Sequence, residues 1–135
     1  MLEKEEKNIV CVYTTCSNKE EVDSLSISTI KEKLAISVDY WTINSIYPWN
    51  GVIKETNQYI LMFSTQKGLS ERLIKHIESI HPYLIPVIAR YDTSMINQQY
   101  GFWADSFLSN KDKYLTEKEF KIKKEEEENA YTKLK

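Results

Sequence analysis

Histidine and cysteine occur only twice each, and glycine and proline three times each, in a chain of 135 residues. So little glycine leaves no phosphate-cradling loop, and neither a G-x-S-x-G nor an H-E-x-x-H pattern is present. An enzyme reading could take His81 as a general base, but no nucleophile or second base is placed by spacing. The cysteines, Cys11 and Cys16, lie in a stretch that reads as a strand, where a five-residue offset puts them on opposite faces. They can neither bridge nor chelate together, and read as reduced thiols. No apolar run approaches the roughly 20 residues of a membrane span. The opening M1-L-E-K-E-E-K-N8 lacks an apolar signal core, so a cytoplasmic address and no membrane partner are expected. Basic excess is also missing: the net charge is −2, which argues against nucleic acid as a partner.

What is present suffices for one core without disulfides or a structural metal, since 41% of the residues are hydrophobic. N8-I-V-C-V-Y-T-T15 is β-rich and reads as a first strand. Ser17 or Asn18 offers an N-cap for a helix over 19–35, with Val22, Ile27, Ile30 and Leu34 as its apolar face. A second helix starts near Leu69, carries Leu73, Ile77 and Ile80 along one stripe, and stops before Pro82. P86-V-I-A-R-Y91 reads as a strand, and a short helix over about 96–107 is expected to bury Tyr100, Phe102 or Trp103, and Phe107. The tail, 111–135, holds eight lysines and seven acids, with Tyr114, Leu115, Phe120, Ile122, Tyr131 and Leu134 as its few apolar anchors. T116-E-K-E119 is a capping-box pattern, which predicts a charged helix over about 117–133.

Between the first two helices lies one long hairpin, with arms Ser37–Trp49 and Val52–Thr65 joined by Asn50-Gly51. That dipeptide is the strongest short-range hairpin signal, because both positions of a type I′ turn need positive φ. Arms of this length span roughly 46 Å at about 3.3 Å per residue. A core of about 110 residues is only some 34 Å across, so the hairpin overshoots by about 10 Å. Its tip carries Ile46, Tyr47, Pro48 and Trp49, an apolar surface that a second copy of the chain would cover. The whole reads as an α+β, ferredoxin-like β-α-β-β-α-β sandwich over 8–108 with an extra C-terminal helix, followed by a charged extension over 109–135.

Four stretches occur together and in order: I30-K-E-K-L-A35, S45-I-Y-P-W-N-G-V-I-K-E55, H81-P-Y-L-I-P86, and N97 with Tyr100 and Trp103. They resemble the CutA family of divalent-cation tolerance proteins over about residues 9–107. The resemblance implies a homotrimer of ferredoxin-like subunits, similar in build to PII signalling proteins, with hairpins pairing across subunit boundaries. It also implies a link to tolerance of copper and other divalent metals. In some bacterial relatives a cysteine and two consecutive histidines ligate copper; the matching positions here are Thr14, Ile80 and His81. Glutamates frequent in relatives are Leu84 and Val87 here, and a frequent cysteine and asparagine of the second strand are Ser37 and Asp39.

His81 is thus the one metal-ligand candidate, and an ion such as Cu²⁺ would be held weakly, because such a centre wants three or four protein ligands. His76, at the edge of the second helix's stripe, reads as structural. Trp41, Tyr47, Trp49, Tyr100 and Trp103 are expected at the trimer interface. Asp39, Lys54, Lys67, Tyr83 and Arg90 are the residues expected in an intersubunit cleft. H-P-Y-L-I-P reads chiefly as a stiff corner, with His81 and Tyr83 at the cleft and Leu84 or Ile85 turned inward. The function expected first is a binding or signalling module in divalent-metal homeostasis. Two alternatives stand beside it: a PII-like sensor of a small anion or metabolite, and a scaffold presenting its tail to a partner protein.

Overall fold

The structure, a computed structural model, describes residues 8–134, with side chains to residue 130. The charged opening 1–7 and the side chains of the tail anchors Tyr131 and Leu134 lie outside the described residues. The chain order is β1 (Ile9–Cys16), α1 (Lys19–Lys31), β2 (Ser37–Trp49), β3 (Val52–Gln66), α2 (Ser70–Ile80), β4 (Ile88–Asp92), α3 (Gln98–Ser109) and α4 (Glu117–Leu134). One turn of 3-10 helix, Lys67–Leu69, leads into α2.

All pairings are antiparallel, and the strand order is β2-β3-β1-β4. α1 and α2 cover one face, burying Val12, Cys16, Leu61 and Phe63 of the sheet against Val22, Leu25, Leu73 and Ile77 of the helices. This is the ferredoxin-like layer. The two cysteines are free and fall on opposite faces, Cys16 in this core and Cys11 on the other side.

α1 ends earlier than its apolar spacing predicts. Lys33 takes φ 59°, its N–H donates to the Ile30 carbonyl at 3.0 Å, and the Leu34 N–H donates to that of Thr29 at 2.9 Å. That is a Schellman closure with lysine where glycine is usual. It turns Leu34 and Ala35 down into the core as loop residues. The buried face of the helix is Val22, Leu25 and Thr29, whereas Ile27 points outward at 38% exposure.

The hairpin matches its expected span. Asn50 and Gly51 have φ 50° and 80°, the left-handed pair that a type I′ turn needs. Pro48 lies on β2, at the edge of the sheet, where no ladder donor is missed. β1 stops pairing at Cys16 opposite Tyr59, so Ile43–Trp49 and Val52–Gln58 project with no third strand of this chain. Those seven residues per arm reach roughly 23 Å at about 3.3 Å each.

The far face of the sheet has no helix over most of its length. Cys11, Tyr13, Trp41, Ile60, Met62 and Tyr91 alternate onto it, with Tyr13 and Tyr91 edge to face at 6.1 Å. α3 closes one end, where Ala104 packs with Ile9 and Ile36. Phe107 is buried as expected, but neither Phe102 nor Trp103, one of which was expected to be, is: they are 66% and 54% exposed, and Ala104, one helical turn before Phe107, is the other buried residue of α3.

Candidate functional site

α2 stops at Ile80, and His81 is pushed to extended backbone (φ −70°, ψ 133°) by the proline that follows. That conformation swings the imidazole back over the end of β1. The Tyr83 N–H donates to His81 Nδ1 at 3.1 Å, which leaves Nε2 as the protonated nitrogen, donating to the Thr15 carbonyl at 2.8 Å. Both ring nitrogens are therefore engaged by main chain. Burial lowers the His81 pKa, against the opposing pull of the Thr15 carbonyl and Glu21.

Tyr83 stacks obliquely on His81, 4.8 Å between ring centres. Its hydroxyl donates to Gln58 Oε1 at 3.0 Å and accepts from Ser17 Oγ at 2.8 Å. Burial raises its pKa. These bonds pin Tyr83 inward, so the backbone between Pro82 and Pro86 bulges the other way. Leu84 and Ile85 are consequently 90% and 75% exposed, and neither turns inward as expected. Thr14 donates its hydroxyl to the Val87 carbonyl at 2.6 Å and ties the corner to β1.

Corner and projecting hairpin enclose a cleft of about 570 Å³. Ser17, Thr56, Gln58 and Tyr83 give it hydroxyl and amide groups, Lys54 its one ammonium, and Trp49 with Ile85 an apolar wall. His81 lies behind Tyr83 and does not line it. Of the five residues expected in a cleft, Lys54 and Tyr83 meet here. Lys67 and Arg90 sit at the other end of the sheet around Asp92, at 4.0 and 2.8 Å, and Arg90 also donates to Ser70 Oγ at 3.1 Å. Asp39 stands exposed on β2 opposite Met62.

The expected interface aromatics also divide. Trp41 lies on the helix-free face, 46% exposed; Tyr47 and Trp49 border the cleft; Tyr100 and Trp103 form a ladder on α3, 5.7 Å apart. His76 bonds Ser28 Oγ at 2.8 Å, a link between α2 and α1. Among the described residues, no group of three or more His, Cys, Asp or Glu side chains could hold a metal ion. Ser17 and Gln58 were absent from the expected set. Their signal lay in strand pairing: once Cys16 faces Tyr59, the next residues along each strand meet at the mouth of the cleft.

A helix-backed antiparallel sheet with an overlong hairpin and a pinned H-P-Y corner defines a ferredoxin-like α+β class. Residues 10–107 match the family described as CutA1 divalent ion tolerance protein. The chain belongs to that family. It is 30% identical over 95 residues to the divalent-cation tolerance protein CutA of Pyrococcus horikoshii, covering 70% of this chain and 93% of that protein. The crystal structure of the divalent ion tolerance protein CutA1 from Ehrlichia chaffeensis superposes with a TM-score of 0.74 at 25% identity, over 76% of this chain and 97% of that one. CutA from Synechococcus elongatus also gives 0.74, at 27% identity over 78% and 94% of the two chains. These relatives are named as tolerance proteins or as CutA, and none of those names describes an enzyme. No helix among the described residues is long and apolar enough to cross a membrane.

Proposed function

We propose that this protein works in divalent-ion tolerance as a non-enzymatic, homotrimeric binding or signalling module. Residues 8–108 are its working unit, and the Tyr83 cleft is its ligand site. The family match supports the tolerance role, and the observation that carries the choice of ligand is the cleft's chemistry: hydroxyls, amides and one ammonium line the space, and among the described residues no cluster of soft or acidic ligands does. Such a lining suits a small oxygen-rich anion or metabolite better than a metal ion. His81 supports the same reading, because a cation at Nδ1 would have to displace the Tyr83 N–H. Copper at this corner would be weak, with water completing its shell. Assembly is favoured by the projecting hairpin and the aromatic, helix-free face, which a neighbouring copy would cover. Asp39, Lys67 and Arg90 reach the cleft, in this proposal, only across a subunit boundary. A cytoplasmic address belongs to the proposal too, although relatives carry chloroplastic and periplasmic names.

Isothermal titration with Cu²⁺ and Zn²⁺ on tag-free protein and on His81→Ala tests the metal half. Weak binding, unchanged by the substitution, is expected. Submicromolar binding at one ion per chain that vanishes in the variant would restore a histidine metal site. Thermal-shift screening with nucleotides and small organic acids tests the other half. A stabilising ligand should lose its effect in Lys54→Met, and a screen without hits would remove the cleft from the reading.

A further inference from the structure

The tail is not a free extension where it leaves α3. Lys33, turned back by its positive φ, places its ammonium 4.4 Å from the Phe107 ring and 3.7 Å from the Tyr114 ring. The same ammonium donates to the Phe107 carbonyl at 3.4 Å, while Phe107 and Tyr114 meet edge to face at 4.9 Å. In the first turn of α4, Glu119 pairs with Lys31 at 2.7 Å. Glu119 also closes the capping box, accepting from the Thr116 N–H at 3.1 Å while its own N–H donates to Thr116 Oγ1 at 3.1 Å. Two lysines at the end of α1 thus set the angle at which α4 departs.

Beside this clasp, the segment entering α4 and the helix's first turns enclose a groove of about 630 Å³. Lys113, Lys121, Lys123 and Lys124 line it against Glu117 and Glu127, so the groove carries an excess of two positive charges, four less two. Leu115 and Phe120, 44% and 52% exposed, put apolar surface among those lysines. Apolar surface set among a net excess of positive charge is the footprint of an interaction site.

We propose that Lys113, Lys121, Lys123 and Lys124, with Leu115 and Phe120 among them, form a docking site for an acidic, partly apolar segment of a partner protein, held at a fixed angle to the core by Lys31 and Lys33. A peptide fits better than nucleic acid. Lys33 already sits over Tyr114 and Lys124 over Phe120, at 5.6 Å, and both positions compete with base stacking. Glu125, Glu126 and Glu127 follow directly along the helix, so a phosphate backbone or an anionic bilayer extending past the groove would meet all three, whereas a short acidic segment seated on Lys113, Lys121, Lys123 and Lys124 does not.

The test uses the full chain and a fluorescein-labelled 12-residue peptide alternating Glu with Leu and Phe, read by anisotropy. Saturable binding is expected, weakening as salt rises from about 50 to about 300 mM. Lys121→Glu/Lys124→Glu should weaken it tenfold or more. Lys33→Gln should weaken it severalfold while Lys33→Arg, which keeps the cation over the rings, retains it. These positions are on the surface or at its edge, and matching circular dichroism and sedimentation keep the comparison readable. Three results would overturn the proposal: no saturation, equal binding by the charge-reversed variant, or tighter binding of polyuridylate or phosphatidylserine vesicles than of the peptide.

Discussion

His81 shows how far one residue can be read from sequence and where that reading stops. The prolines around it, and the loss of ligand types at Thr14 and Ile80, were visible at once and pointed to a corner. What could not be read is the pair of main-chain partners, Thr15 and Tyr83, because they depend on how α2 lies over the end of β1. Those partners carry a pH prediction. Burial lowers the His81 pKa below its ordinary value of 6.5, so the folded imidazole resists a proton that the unfolded chain accepts. Stability is therefore complete above about pH 6.5 and falls as the pH drops through the window between the two pKa values. Melting temperatures from pH 7.5 down to 5 should decline more steeply for the parent than for His81→Gln; parallel curves would mean that the imidazole is not held neutral. Tyr83→Phe removes the hydroxyl shared by Ser17 and Gln58, and should cost about 0.5–1.5 kcal/mol in denaturant unfolding.

Among the elements, the hairpin was the most legible, because β-rich arms and Asn50-Gly51 each specify the same register. α1 was less so: its end is set by a lysine at φ 59°, where sequence rules look for glycine, and Leu25 is buried in place of Ile27 because Val22, Leu25 and Thr29, at i, i+3 and i+7, form the one stripe that faces the core. α3 misled for a related reason, since its aromatic residues outnumber the one strip that reaches Ile9 and Ile36. α4 was announced by its capping box, which formed, but the Lys33 clasp that aims it had no signal in spacing. A prediction belongs to the hairpin's turn. A Cβ added at Gly51 would meet nothing within 4 Å, so Gly51→Ala costs only the left-handed backbone, about 1–2 kcal/mol. Because the outer arms pair only with each other, that cost should appear as local opening. Amide hydrogen exchange is expected to quicken over 46–55 and stay unchanged over 59–66; a uniform rise along β3 would show instead that the tip and the core sheet open as one unit.

For the molecule as a whole, the surfaces left over by the single chain are what argue for assembly. Trp41 and Tyr91 stand 46% and 57% exposed on the sheet face that α3 covers only at one end, and Ile46, Trp49, Val52 and Ile53 are exposed along the hairpin's outer part. Two arms paired only with each other, well beyond the last residue of β1, gain little from the core and would be marginal alone in water. The overshoot was legible from arm length against domain diameter. Its partner surface was not, because complementarity across a boundary leaves no mark in the order of residues. The expected state is a homotrimer at low micromolar concentration, with unfolding midpoints that rise with protein concentration because association and folding are linked. Trp49, 43% exposed in the chain and bordering the cleft, is placed to be an anchor once a neighbour covers it. Trp49→Ala should then cost assembly roughly 2–4 kcal/mol per site, moving the dissociation midpoint in sedimentation by about a factor of 30 or more. A compact, cooperatively folded monomer of the parent at low micromolar concentration would remove assembly from the account. A variant trimer as robust as the parent would leave assembly standing and take Trp49 out of it, returning the indole to the cleft as a wall for the ligand alone.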